Sequence, residues 1–127
     1  VAKTKKKTEP ILWLKVGHMR YAIYVNDRMI ADAGAKMGGE LWGATLPHEA
    51  KIILQEGMSP QQFADTLLHE ALHGVFNVSG LQYDLAQGHP LDEEAIIRRL
   101  VPALLETLRD NPKFTEIIAT PLEEWYE

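Results

Sequence analysis

Five consecutive residues, His69-Glu70-Ala71-Leu72-His73, constrain this chain more than any other stretch, because they spell H-E-x-x-H inside a helix-patterned segment. Residues four apart on a helix share a face, about 6 Å apart along its axis. Two imidazoles so placed reach one Zn²⁺ at a Zn–N distance of roughly 2.0–2.1 Å. Glu70 lies one step around the helix from His69, where a carboxylate can take a proton from a water activated by the metal. The pattern points to a zinc hydrolase, with peptide-bond hydrolysis as the leading reaction. The run from Thr66 to Phe76 is mostly apolar, so the motif is expected inside a core-forming helix. Two histidines and a glutamate there are costly unless something satisfies them. The opposing reading is a surface helix with an incidental histidine pair and a solvated glutamate.

Length and composition narrow the setting. A chain of 127 residues suits one domain with a real core. It contains no cysteine, which excludes disulfides, thiolate ligands and a cysteine nucleophile. A metal must then be held by histidine and carboxylate, the donor set of a catalytic site rather than a cysteine-rich structural one. No apolar run is long enough to span a membrane and no signal-peptide pattern opens the chain, so a cytoplasmic location is expected. Lys3, Lys5, Lys6 and Lys7 crowd the start, leaving nine basic against eighteen acidic residues in the remainder. A body so acidic is a poor nucleic-acid surface, and no nucleic-acid partner is expected. Residues 1–9 read as a basic disordered tail, 10–120 as the single domain, and 121–127 as an acidic, aromatic tail.

Along the domain, Ile11–Val16 and Tyr21–Val25 are rich in strand formers and separated by Gly17-His18. Asn26-Asp27 reads as a turn, and Gly34, Gly38 and Gly39 as parts of a loop. Leu41–Leu46 and Lys51–Leu54 read as a hairpin or two neighbouring strands around the turn-like Pro47–Ala50. The next helix announces its start: Ser59 as N-cap, Pro60 in the first turn, and Gln62 completing a capping box. Its end is expected between Asn77 and Gly80. Leu81–Gly88 has no clear period. His89-Pro90-Leu91-Asp92 opens a second long helix, in which Pro102 predicts a kink. Asp110-Asn111-Pro112 ends it and begins a short third one, Lys113–Ala119.

A catalytic zinc site usually has three protein ligands. The extended pattern H-E-x-x-H-x-x-G-x-x-H is excluded, since Phe76 and Ser79 stand where it needs glycine and histidine. The downstream candidates are Asp84, His89, Asp92, Glu93 and Glu94. Helical phase favours Glu93, which falls inside the apolar stripe of Ile97, Leu100, Leu104 and Leu108, whereas Glu94 falls at its edge. A carboxylate on a buried face needs a partner, and a metal is one. Glu94 and the loop residue His89 stay open as alternatives. His18 and His48 are expected to be exposed. Tyr83 is a packing residue in a loop or a hydroxyl near the metal.

Lys51-Ile52-Ile53-Leu54, the motif stretch Thr66–His73, Glu93-Glu94-Ala95-Ile96-Ile97 and Arg109-Asp110-Asn111-Pro112 resemble the compact zincin-like metallopeptidases, particularly the small H-E-x-x-H proteins of phages and prophages. More distantly the chain is similar to the ImmA/IrrE-like and SprT-like families. The resemblance implies an α+β, minimal zincin-like fold: a small β-sheet packed on the active-site helix, then a second, ligand-bearing helix. It implies zinc bound by His69 and His73, Glu70 as general base, a glutamate from the second helix, and so a gluzincin-like metalloprotease. It further implies a protein or peptide substrate aligned by strand addition along an edge strand, either Gly43–Leu46 or Lys51–Leu54. Two other functions are carried beside it: a zinc hydrolase of a small non-peptide amide, and a non-enzymatic module that zinc merely stabilises.

Overall fold

The alternating apolar residues of the first half build a mixed four-stranded sheet, described by a computed structural model covering residues 8–37 and 41–119. Residues 1–7 of the expected basic tail 1–9, the loop glycines Gly38 and Gly39, and the whole of the expected acidic tail 121–127 lie outside the described residues. Strands β1 (Leu12–Val16) and β2 (Met19–Val25) pair antiparallel through the Gly17-His18 turn, as their spacing predicts. Gly17 has φ +60°, and a Cβ there would lie 2.6 Å from Val78 Cγ1. Only glycine suits both the left-handed turn and the close approach of the later helix.

The chain next departs from the expected loop. Helix α1 (Asp27–Met37) forms instead, with the Asn26 side chain accepting the Met29 N–H at 2.9 Å. Residues 28–37 hold mostly good helix formers, and one glycine did not outweigh them. Ile30 and Ala33 bury against Ala44 and Ile53 on one face of the sheet. Strand β3 (Gly43–Leu46), a 3₁₀ turn and β4 (Lys51–Leu54) then make the expected antiparallel pair. β4 runs parallel to β2, giving the order β1-β2-β4-β3. β4 is therefore interior and β3 is an edge, which decides between the two edge strands that the sequence left open.

The opposite face of the sheet carries Leu14, Val16, Tyr21, Ile23, Val25, Ile52 and Leu54. This alternation is what a sheet covered on both faces requires. Helix α2 (Pro60–Ser79) lies over it, contributing Phe63, Leu67, Ala71 and Val75 to the main core. Its start is as written in the sequence: Ser59 Oγ accepts the Gln62 N–H at 3.2 Å. Gly80, in the left-handed conformation, ends it.

Leu81–Ala86 forms a short helix, α3, where no period was legible. A single turn and a half carries too few residues to display one, and burial of Leu81 anchors it. Helix α4 (Glu93–Asp110) begins at Asp92, whose side chain accepts the Ala95 N–H at 2.8 Å, and runs on through Pro102. Leu100, Ala103, Leu104 and Leu108 pack against the main core. Helix α5 (Pro112–Ala119) closes it with Phe114 and Ile117. Asn111 joins the two ends of the domain: its Oδ1 accepts the Lys15 N–H at 2.8 Å and its Nδ2 donates to the Lys15 carbonyl at 2.7 Å. Five α-helices and one mixed sheet make the described domain α+β.

Candidate active site

Helix α2 meets the sheet along one side and leaves the H-E-x-x-H residues in two different environments. Ala71, between them, is buried against the sheet. His69 and His73 lie on the outer face, both exposed, with ring centroids 5.1 Å apart in an edge-on arrangement. The apolar flanks pointed to buried histidines. They bury the neighbouring face instead, because 100° steps alternate faces within a single motif. Glu70 is the exception, at 6% exposure.

Glu70 is buried at the seam between α2 and edge strand β3. The Thr45 hydroxyl stands 2.8 Å from Glu70 Oε1 and 2.8 Å from the Glu70 backbone oxygen. The other carboxylate oxygen, Oε2, lies 3.8 Å from His69 Nε2. Gly43 makes room for this contact, since a Cβ there would come within 2.9 Å of both Glu70 Cγ and Thr66 Cγ2. Neither Thr45 nor Gly43 stood out in the sequence. The signal was faint: a polar residue and a glycine two apart on one strand face. Deeper under α2, burial pushes the Tyr21 phenol up from its ordinary range, more than the Asn77 side chain lowers it.

Glu93 does not meet its expectation of burial. It is exposed in the first turn of α4, as is Glu94, whose carboxylate accepts from Arg98 Nε at 2.9 Å. Glu93 shares the phase of the apolar stripe, but among the described residues that end of the stripe stays exposed. Ile97, one turn on, is itself 44% exposed, and packing starts only near Leu100. His89 is exposed and pairs with Asp84 at 2.9 Å, beside the edge of the Tyr83 ring. Arg99 joins the same Asp84 carboxylate, so the corner between α3 and α4 is an Asp84-centred charge cluster. The His89 hydrogen bond first, and Arg99 second, hold the Asp84 carboxyl below the usual range. Asp92 serves as the α4 cap, and His18 and His48 are exposed as expected.

The fit to a metal is partial. The histidine pair supplies two exposed imidazoles on one face of one helix, with a carboxylate beside them. Among the described residues, no group of three or more His, Cys, Asp or Glu side chains stands close enough to hold a metal ion. The structure thus unites His69, Glu70 and His73, and does not bring Glu93, Glu94 or His89 into a metal-holding group with them. Among the described residues, no helix is long and apolar enough to cross a membrane. Compared with known protein families, curated proteins and solved structures, the chain matches none.

Proposed function

We propose that this protein is a zinc-dependent metallopeptidase of minimal zincin-like design, with His69 and His73 as metal ligands and Glu70 as general base. One observation carries the reading: Glu70 is the motif residue that is buried and hydrogen-bonded, while the histidines beside it stay exposed side by side. Burying a carboxylate is unfavourable without a hydrogen-bonding partner, and the Thr45 hydroxyl that meets Glu70 there supports a built position for it rather than an incidental surface one.

Zn²⁺ bound at the pair would lower the pKa of a water and polarise the scissile carbonyl. Glu70 then accepts the water's proton and returns it to the leaving amine. Among the described residues β3 pairs with β4 on one side only, and its other edge would receive an extended peptide. Glu93 is the carboxylate proposed for the third position; it is exposed at the start of α4 and stands in no metal-holding group among the described residues. Exposure of both histidines supports an open catalytic site over a closed structural one, in which four protein ligands normally surround zinc.

Metal analysis tests the assignment. The purified protein should carry about one zinc ion per chain. His69→Ala and His73→Ala should each lose it, and Glu93→Ala should weaken it. Full zinc in a variant lacking both histidines would sink the reading, and full zinc in Glu93→Ala would remove that residue from the ligand set.

A further inference from the structure

The two oxygens of the Glu70 carboxylate are not equivalent, and strand β3 makes the difference. Oε1 is 2.8 Å from the Thr45 hydroxyl. Oε2 is 3.8 Å from His69 Nε2. Thr45 has one hydroxyl hydrogen and two nearby acceptors, the Glu70 carboxylate and the Glu70 backbone oxygen. Inside α2 that backbone oxygen has the N–H four residues on, at Gly74, as its regular helical partner. The carboxylate has no such partner and is the stronger acceptor, so the hydroxyl hydrogen belongs to Oε1.

Burial gives this bond its hold. At 6% exposure, a Glu70 carboxylate released by Thr45 would find little water to replace the bond. Gly43, two residues earlier on the same strand face, walls the side chain in: a Cβ there would approach Glu70 Cγ to 2.9 Å and Oε2 to 3.2 Å. Exchanging the two oxygens means turning the carboxylate and breaking the Thr45 bond on the way.

We propose that Thr45 is a positioning residue for Glu70, fixing Oε1 so that Oε2 is the oxygen that accepts the water's proton. The inference rests on Glu70 being the general base. It adds a link between substrate and base, because Thr45 belongs to the edge strand along which a peptide would lie. The strand that aligns the substrate also sets the angle of the base.

The test uses the full chain with Thr45→Val, which keeps the shape and removes the hydroxyl, and Thr45→Ser, which keeps the hydroxyl. Zinc content is measured for each, along with cleavage of unfolded casein resolved into kcat and KM. Thr45→Val should keep its zinc and its KM while kcat falls about tenfold or more, and Thr45→Ser should recover most of that loss. A readout free of activity accompanies it: melting of metal-free Thr45→Val, Glu70→Ala and the double variant. Thr45→Val should lower the melting temperature by several degrees beside Glu70 and by much less beside alanine. Additive melting shifts, or Thr45→Ser falling as far as Thr45→Val, would overturn the positioning role. Glu70→Gln cleaving as fast as wild type would instead overturn the general-base reading. Should casein not be cleaved at all, the melting cycle alone decides whether Thr45 holds Glu70.

Discussion

Glu70 and Glu93 were both read from the sequence as carboxylates facing a core, and the fold treats them oppositely. Glu70 lies against a strand that comes within hydrogen-bonding distance, whereas Glu93 is exposed on the first turn of its helix among the described residues. Their own helices explain little of the difference. Both belong to long helices with a well-placed N-cap and an apolar stripe. What differs is the neighbour: β3 runs past the middle of α2, while α4 engages the core from about Leu100 onward. Periodicity names a face, and only a second element turns that face into an interior.

Glu70→Gln attacks the enclosed half of this comparison most directly. Glutamine keeps nearly the same shape and cannot accept the proton, so cleavage of an unfolded protein should drop by roughly 10²–10⁴-fold with zinc content unchanged. Equal turnover by the two proteins, free of contaminating protease, would refute the mechanism.

Packing sharpens the contrast next. Leu67 is fully buried beneath α2, and Ile97 is 44% exposed on α4. Leu67→Ala should destabilise by about 2–5 kcal/mol through lost transfer energy and a cavity. Ile97→Ala should stay within about 0.5 kcal/mol, as surface changes do. Chemical denaturation measures both, and similar losses would mean that the first turns of α4 are covered in solution.

The smallest expected effect is electrostatic and lies at the α3–α4 corner. Because His89 and Arg99 depress the Asp84 pKa in the folded state, their contribution is present above the ordinary aspartate range, near pH 4. It is lost as pH falls through the lower folded value. Wild type should therefore melt slightly above Asp84→Asn near pH 6, and the gap should close in strong acid. A gap that stayed unchanged however far the pH was lowered would show that Asp84 acts there by something other than its charge.

Much of the fold was legible because its signals are local. The β1–β2 hairpin follows from strand formers around Gly17, and the α2 start from the Ser59-Pro60 cap with Gln62 behind it. α1 is masked in the sequence because Gly34 and the flanking glycines give a loop signal that competes with the helix formers between them, and α3 is too short to display a period. At the site, His69, Glu70 and His73 were legible from spacing alone, since one helix fixes their geometry. Thr45 and Gly43 were not, because they come from a strand twenty-five or more residues away.

The sequence by itself determined which residues share a helix face and where the helices begin, for these follow from steps of 100° and from caps that act within a few residues. It placed His69, Glu70 and His73 on one stretch of one helix for the same reason. Tertiary structure alone decided which face became interior. It made β3 the edge and β4 the interior strand, left His69 and His73 open to solvent, closed Thr45 over Glu70, and left Glu93 uncovered. Burial and hydrogen-bond partners across distant strands depend on what packs opposite, and no local pattern in a chain carries that information.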